Sequence, residues 1–171
     1  MHNAQPVSCH CCCCVCSPCQ TRAAAEELAH LTRKASNRKA VMATPRAVCS
    51  VASLLSSTDP KCQRLAAAAV QNLAIEPEHC QELLAAGSMG PLLQMLHATD
   101  DSEALLAAAA GALSNLSYDA GSCTIIATSP GSVARLVSLL SHSSCVVREA
   151  AASVLAKLAW EPELCKPIAG A

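Results

Sequence analysis

The chain has 171 residues and a formal net charge of −1, and charged residues make up 15% of it. This composition argues against a nucleic-acid-binding surface over the whole chain. The longest apolar run, residues 104–113, is about half of the ~20 residues that a membrane-spanning helix needs. Alanine occurs 34 times, phenylalanine is absent, and Tyr118 and Trp160 are the sole tyrosine and tryptophan. Such a chain favours closely packed helices over a β-sandwich.

Residues 1–46 differ from the rest of the chain in charge and in cysteine content. Residues 1–48 hold six Lys and Arg against two acids, or +4, whereas residues 49–171 hold six against eleven, or −5. Seven of the thirteen cysteines lie between Cys9 and Cys19. We therefore expect residues 1–46 to form a basic leader that is disordered or loosely helical, with residues 21–37 able to form an amphipathic helix.

The cysteine run leaves several roles open for this leader. Cys16 and Cys19 have the spacing of half a zinc site, but no second pair follows at a suitable distance. A targeting segment cleaved near Met42, a true start at Met42 and a plain disordered tail are further alternatives. Palmitoylation would tether the protein to a membrane through four consecutive cysteines, Cys11, Cys12, Cys13 and Cys14.

Residues 47–171 contain an internal repeat with a period of 42 to 43 residues. The segment 73–80 returns as 158–165, and residues 116–123 lie halfway between them. Apolar residues before each segment recur at i, i+3, i+4 and i+7, which is one stripe of an α-helix. The aligned positions include Ala66, Ala109 and Ala151. We predict units at about residues 47–75, 77–117 and 120–160, and a partial last helix over 162–170.

Glycine, proline and cysteine recur at fixed positions within the units. Gly87, Gly131 and Gly170 follow a short helix, where a left-handed cap favours glycine. Pro77 and Pro162 occupy the first turn of that helix. Each full unit is then a short helix, a Gly turn, a second helix, a polar loop and a longer third helix. One cysteine per unit lies too far from its equivalents for a disulfide, which favours buried thiols in a reducing compartment: Cys80, Cys123 and Cys165.

The third-helix sequences resemble the armadillo repeat. The pattern A-x-x-A-[VL]-x-N-L-[AS] occurs at residues 66–74 and 109–117, with a degenerate copy at 151–159. The resemblance covers residues 47–171, about three-quarters of the chain. It implies an all-α fold, a right-handed α-α superhelix of the armadillo type with about three repeats.

The resemblance also implies a function, because third helices in this family line a concave groove that binds extended peptides. Asparagines near the helix ends bond the peptide backbone, and here these rungs are Asn72 and Asn115, with Lys157 in third place. Capping of free helix carbonyls is the alternative role for the asparagines. No Trp precedes each Asn as in importin-α, and no line of cations resembles that of β-catenin. The groove positions one and two turns before the rungs are Ala68, Gly111, Ser153, Arg64, Ala107 and Glu149.

The remaining expectations concern chemistry, partners and location. No catalytic motif is present, so we expect a non-enzymatic scaffold without cofactor or metal that binds a protein or peptide and not nucleic acid. His79, His97 and His142 are expected at the solvated surface. Uncapped array ends allow self-association or a fragment of a larger array. The expected location is the cytoplasm or nucleus, or an organelle or membrane reached through residues 1–46.

Overall fold

The computed structural model describes residues 18–44, 46–98 and 102–160, which form α-helices and one 3-10 turn and contain no strand. None of the described helices is both long and apolar enough to cross a bilayer. The 3-10 turn is Pro77–His79. The helices are α1 (Pro18–Thr32), α2 (Ala35–Ala43), α3 (Ala47–Leu55), α4 (Pro60–Leu73), α5 (Cys80–Ala85), α6 (Met89–Leu96), α7 (Glu103–Leu116), α8 (Ala120–Thr128), α9 (Ser132–Leu139) and α10 (Cys145–Trp160).

Several sequence expectations fall outside the described residues. They are the lipidation of Cys11, Cys12, Cys13 and Cys14, the last helix over 162–170, and the roles of Pro162, Cys165 and Gly170.

The helices are arranged in layers around one continuous core. The third helices α4, α7 and α10 stack side by side, and the second helices α3, α6 and α9 each pack on the third helix that follows. The aligned alanines Ala66, Ala109 and Ala151 are fully buried, so adjacent third helices can approach closely. The all-α solenoid that the repeat predicted is confirmed.

Two glycines make the predicted turns between short and second helices. Gly87 has φ +84° and Gly131 has φ +74°, a left-handed conformation in which a side chain is strained. In the first unit Arg46 takes this position, directly before α3, with φ 67°. The turn geometry is therefore retained where the glycine is not.

Residues 18–43, which the sequence placed in the leader, form two helices that pack on the array. Helix α1 lies against α4 as α4 lies against α7. Its buried face carries Ala25, Ala29 and Thr32, a stripe of small residues like that of the other third helices. The described part of the array therefore begins at Pro18 and not at residue 47, because α1 occupies the third-helix position of a preceding unit.

Ion pairs join α1 and α2 to the first unit. Within the described residues every ion pair joins residues 22–39 to residues 59–78, and in three of the four the cation belongs to residues 22–39. The pairs are Lys61–Glu26 (2.6 Å), Arg22–Asp59 (2.7 Å), Arg38–Glu76 (2.9 Å) and Lys39–Glu78 (3.9 Å). Hydrogen bonds from Arg38, Arg22 and Lys61 are the main reason that the pKa values of Glu76, Asp59 and Glu26 lie below their ordinary range.

Alanine substitution of two nearby glycines should have unequal effects on stability. A Cβ at Gly87 would meet no atom within 4 Å, so Gly87→Ala reports only the cost of positive φ, about 1 kcal/mol. Gly90 lies in the first turn of α6 directly before Pro91, whose ring disfavours a Cβ on a preceding helical residue, so Gly90→Ala should change stability by less than about 0.5 kcal/mol. Urea denaturation of both variants measures the difference, and equal shifts would contradict the turn geometry.

The Arg38–Glu76 pair should make stability depend on pH. The pKa of the Glu76 carboxyl is lowered in the folded state. The carboxylate therefore stabilises the fold at pH values above its unfolded pKa, and this contribution is lost as pH falls through the folded pKa. We expect Glu76→Gln to lower the urea midpoint at neutral pH, and the gap from wild type to narrow as pH falls below about 4.3, the ordinary glutamate pKa, and to close once the lowered folded pKa is passed.

Glu78→Gln is the matched control for this experiment. Its partner Lys39 is 3.9 Å away and both side chains are mostly exposed, so little change is expected at either pH. Equal losses for Glu76→Gln and Glu78→Gln at neutral pH would show that α2 is not held by the Arg38 contact.

Candidate functional site

The candidate groove residues lie on the outward stripe of the third helices. We call the surface formed by these stripes the third-helix face. On α4 it runs through Arg64, Ala68 and Asn72, which are all half-buried. The stripe of α7 carries Ala107, Gly111 and Asn115, and that of α10 carries Glu149, Ser153 and Lys157. A spacing of four residues keeps each set on one side of its helix. Three aligned stripes on stacked helices give one continuous face.

The three rungs all bond the third helix that precedes them. Asn115 Nδ2 donates to Gln71 O at 2.8 Å, and Lys157 Nζ donates to Ser114 O at 2.6 Å. Asn72 Nδ2 donates to Ala29 O of α1 at 3.4 Å and to Thr32 Oγ1 at 3.2 Å. Gln71, Ser114 and Ala29 lie in the last four residues of their helices, whose carbonyls have no intrahelical N–H.

The rungs therefore have a structural role in addition to any role in binding. Asn72 Nδ2 and Asn115 Nδ2 cap helix carbonyls, which is the alternative role that the sequence left open. In each case the capped carbonyl belongs to the neighbouring helix. Their Oδ1 atoms accept no hydrogen bond from the described part of the chain. Each asparagine can thus hold the stack through its nitrogen and offer an acceptor at the surface.

Gly111 does not form an open floor in the groove. It is buried, because the Gln71 side chain of α4 lies across it. A Cβ at Gly111 would come within 2.6 Å of Gln71 Nε2 and 2.8 Å of Cδ. The absence of a side chain at this position is what lets the Gln71 amide lie against α7. Gln71 is therefore a groove residue that the sequence analysis missed.

A polar cluster joins α7 to α10 around Lys157. Ser114 Oγ and Ser153 Oγ are 2.7 Å apart, and Lys157 Nζ donates to Ser114 Oγ at 3.0 Å. The same ammonium lies 3.7 Å from the centre of the Tyr118 ring, a cation–π contact. These contacts hold the long Lys157 side chain in one place on the third-helix face.

Arg64 and Glu149 mark opposite ends of the candidate groove and do not meet. Arg64 is half-buried beside the Lys61–Glu26 pair, and Glu149 is exposed on α10. Neither takes part in an ion pair with another described residue. The third-helix face therefore changes from charged pairs near α1 to aromatic groups near α10.

The cysteines and histidines form no chemical site in the described residues, where no group of three metal-ligating side chains occurs. Cys80 and Cys123 are buried, and burial raises the pKa of the Cys80 thiol. His79, expected at the surface, is instead buried, with Nδ1 3.0 Å from Leu73 O. His97 is exposed and His142 half-buried.

The sequence analysis also missed the aromatic part of this face. Ile75, Tyr118 and Trp160 each follow a rung by three residues and are all exposed. The signal was present, because the three positions recur with the same period as the rungs. The groove positions that the family resemblance implied lie before each rung, whereas these three residues lie after it.

Comparisons with known proteins agree with the fold. The model of the armadillo/beta-catenin-like repeat matches residues 76–118. No curated protein matches the sequence. Among solved structures, the designed armadillo repeat protein YIII(Dq)4CqI is 22% identical with a TM-score of 0.80, and the match covers 90% of this chain and 65% of that one.

Two further structures are similar over the same region. The designed armadillo repeat protein YIII(Dq.V1)4CPAF in complex with peptide (KR)4 is 23% identical with a TM-score of 0.78, covering 90% of this chain and 65% of that one. The engineered protein OR497 of the Northeast Structural Genomics Consortium is 34% identical with a TM-score of 0.78, covering 88% and 36%. The chain thus spans less than two-thirds of the length of these structures.

Replacing the donor of the middle rung should weaken the stack. Asn115→Asp puts a carboxylate 2.8 Å from Gln71 O, which needs a donor, so we expect a loss of about 1–3 kcal/mol in urea denaturation. Asn37→Asp is the control, because Asn37 Oδ1 already accepts from Ser36 Oγ near the start of α2. A comparable loss for both variants would contradict the capping role.

Proposed function

Because this chain belongs to the armadillo repeat family, we propose that it is a non-enzymatic protein-interaction scaffold that binds an extended peptide along its third-helix face. The observation that carries the proposal is the set of stripes on α4, α7 and α10, which repeat every 42 to 43 residues and stack in register. The backbone of an extended peptide also repeats at a regular spacing. A face with a repeated set of side chains can therefore contact such a peptide at several points.

The asparagine acceptors support binding of a peptide backbone. Asn72 Oδ1 and Asn115 Oδ1 take no hydrogen bond from the described residues, while their nitrogens are held by the preceding helix. An acceptor whose orientation is already fixed loses little conformational entropy when a peptide N–H binds it. The rungs would therefore bind the peptide backbone and would not select a particular peptide side chain.

The peptide complex of the designed protein supports the same use of the fold, but not the same ligand. That protein is only 23% identical to this chain and its peptide is (KR)4. Here Lys157 stands on the third-helix face without an acidic partner among the described residues. A basic peptide would meet this positive charge, which favours a different peptide composition.

A reducing compartment, the cytoplasm or nucleus, is the proposed location. Cys62 and Cys80 are buried as free thiols. Buried unpaired thiols are compatible with such a compartment and do not require an oxidising one. Palmitoylation of the cysteine run, and with it a membrane tether, remains a separate proposal.

The test is a peptide-library screen against the full chain, followed by anisotropy titration of the selected peptides. Ala68→Arg and Ala107→Arg place a long cation on the third-helix face of α4 and α7, and each should weaken binding about tenfold or more. Ala134→Arg adds the same side chain at an exposed site on α9 and should leave affinity unchanged.

Melting curves must show that all three arginine variants are folded. Equal affinity in all of them would place the peptide away from the third-helix face, and an empty screen would remove the peptide-binding function itself.

A further inference from the structure

Three exposed apolar side chains occupy equivalent positions in the repeat, at the C-terminal ends of the third helices. Ile75, Tyr118 and Trp160 are 52%, 71% and 86% exposed. The chain has one tyrosine and one tryptophan, and both belong to this set. Large apolar side chains that are exposed at repeated positions are typical of a surface that contacts a partner.

The last two members of this set border a cavity of 470 Å³ between the ends of α7 and α10. Two aromatic side chains and the Ala156 methyl group make its walls largely apolar, and the two serines and one lysine supply its polar groups. We refer to it as the aromatic pocket; it is lined by Ser117, Tyr118, Ser153, Ala156, Lys157 and Trp160.

Lys157 is the charged group of this lining, and no carboxylate of the described residues neutralises it. Its ammonium contacts Ser114 O, Ser114 Oγ and the Tyr118 ring, none of which carries a formal charge. No described carboxylate forms an ion pair with it. By contrast, Lys61 and Arg38 near the other end of the array are each paired with an acid. The aromatic pocket therefore lacks a negative partner for a cation that is held in place.

We propose that the aromatic pocket binds one bulky apolar side chain of the peptide, and that Lys157 pairs with a carboxylate on a residue adjacent to it. The inference rests on the proposed scaffold function and specifies the peptide that this end of the face selects. The ammonium has an N–H beyond the two that bond Ser114, so a carboxylate can be added without breaking the contacts that position it.

Both parts of the ligand follow from the lining. An aromatic or leucine side chain fits within a cavity of this size and can lie against the exposed faces of Tyr118 and Trp160. The carboxylate supplies the missing charge, and a basic residue in its place would repel Lys157. One carboxylate suffices, because Lys157 is the only cation among the described residues of the lining.

The sole tryptophan provides a direct probe of this site. The test peptides are Gly/Ser-rich chains that carry Asp-Phe-Glu, Asp-Ala-Glu or Lys-Phe-Arg at the centre, and Trp160 emission is followed during titration of the full chain. We expect Asp-Phe-Glu to shift the emission to the blue and to bind about tenfold more tightly than either of the others.

Charge variants separate pocket recognition from general attraction. Lys157→Met should remove most of the preference for Asp-Phe-Glu over Lys-Phe-Arg. Arg148→Met removes one positive charge from the same helix, where Arg148 bonds His142 O and Ser143 O, and should keep the preference. If Lys157→Met fails to fold, added salt provides a second test, because it should weaken Asp-Phe-Glu binding to the wild-type chain.

The outcomes distinguish this inference from the scaffold function. Equal or tighter binding of Lys-Phe-Arg, or binding of Asp-Phe-Glu with no change in Trp160 emission, would overturn the aromatic-pocket assignment. In either case peptides selected by the library could still lose affinity in Ala68→Arg, and the scaffold function would stand. If no peptide bound at all, both proposals would fail.

Discussion

The close approach of neighbouring third helices is the constraint on which the rest of this structure depends. Ala66, Ala109 and Ala151 are fully buried where these helices meet, and an alanine surface lets two helix backbones come near each other. At that separation the short amide of Asn115 reaches Gln71 O of the preceding helix at 2.8 Å. Core packing therefore determines which carbonyls the rungs can cap, and so positions the face that is proposed to bind a peptide.

Stability and recognition share the same residues on this face. A rung whose nitrogen caps a carbonyl cannot be exchanged freely, even if no ligand is bound, since a helix end would lose its donor. Where the third rung is Lys157, the longer side chain still reaches Ser114 O and also covers the Tyr118 ring. The change from amide to ammonium thus preserves the capping and adds a positive charge to the surface.

Features that repeat along the chain could be predicted from the sequence, whereas features that occur once could not. The alanine columns and the turns at Gly87 and Gly131 recur in register, so periodicity alone located them. The packing of α1 was missed because a single copy of its stripe precedes the recognisable units. The Arg38–Glu76 pair joins residues 38 positions apart, and no local pattern predicts such a contact. The placement of Gln71 over Gly111 depends on a side-chain conformation that composition does not specify.

The uneven charge of the chain acquires a physical meaning once α1 and α2 are placed. Basic residues of these helices lie against acids of the first unit, as in Arg22–Asp59 and Arg38–Glu76, so their charge is used in holding the array together. Lys157 is held instead by neutral oxygens and an aromatic ring. Charges paired within the fold contribute little to attracting a ligand, whereas a fixed and unpaired one contributes to selecting it. The end of the face near α10 is therefore where this array can discriminate between peptides.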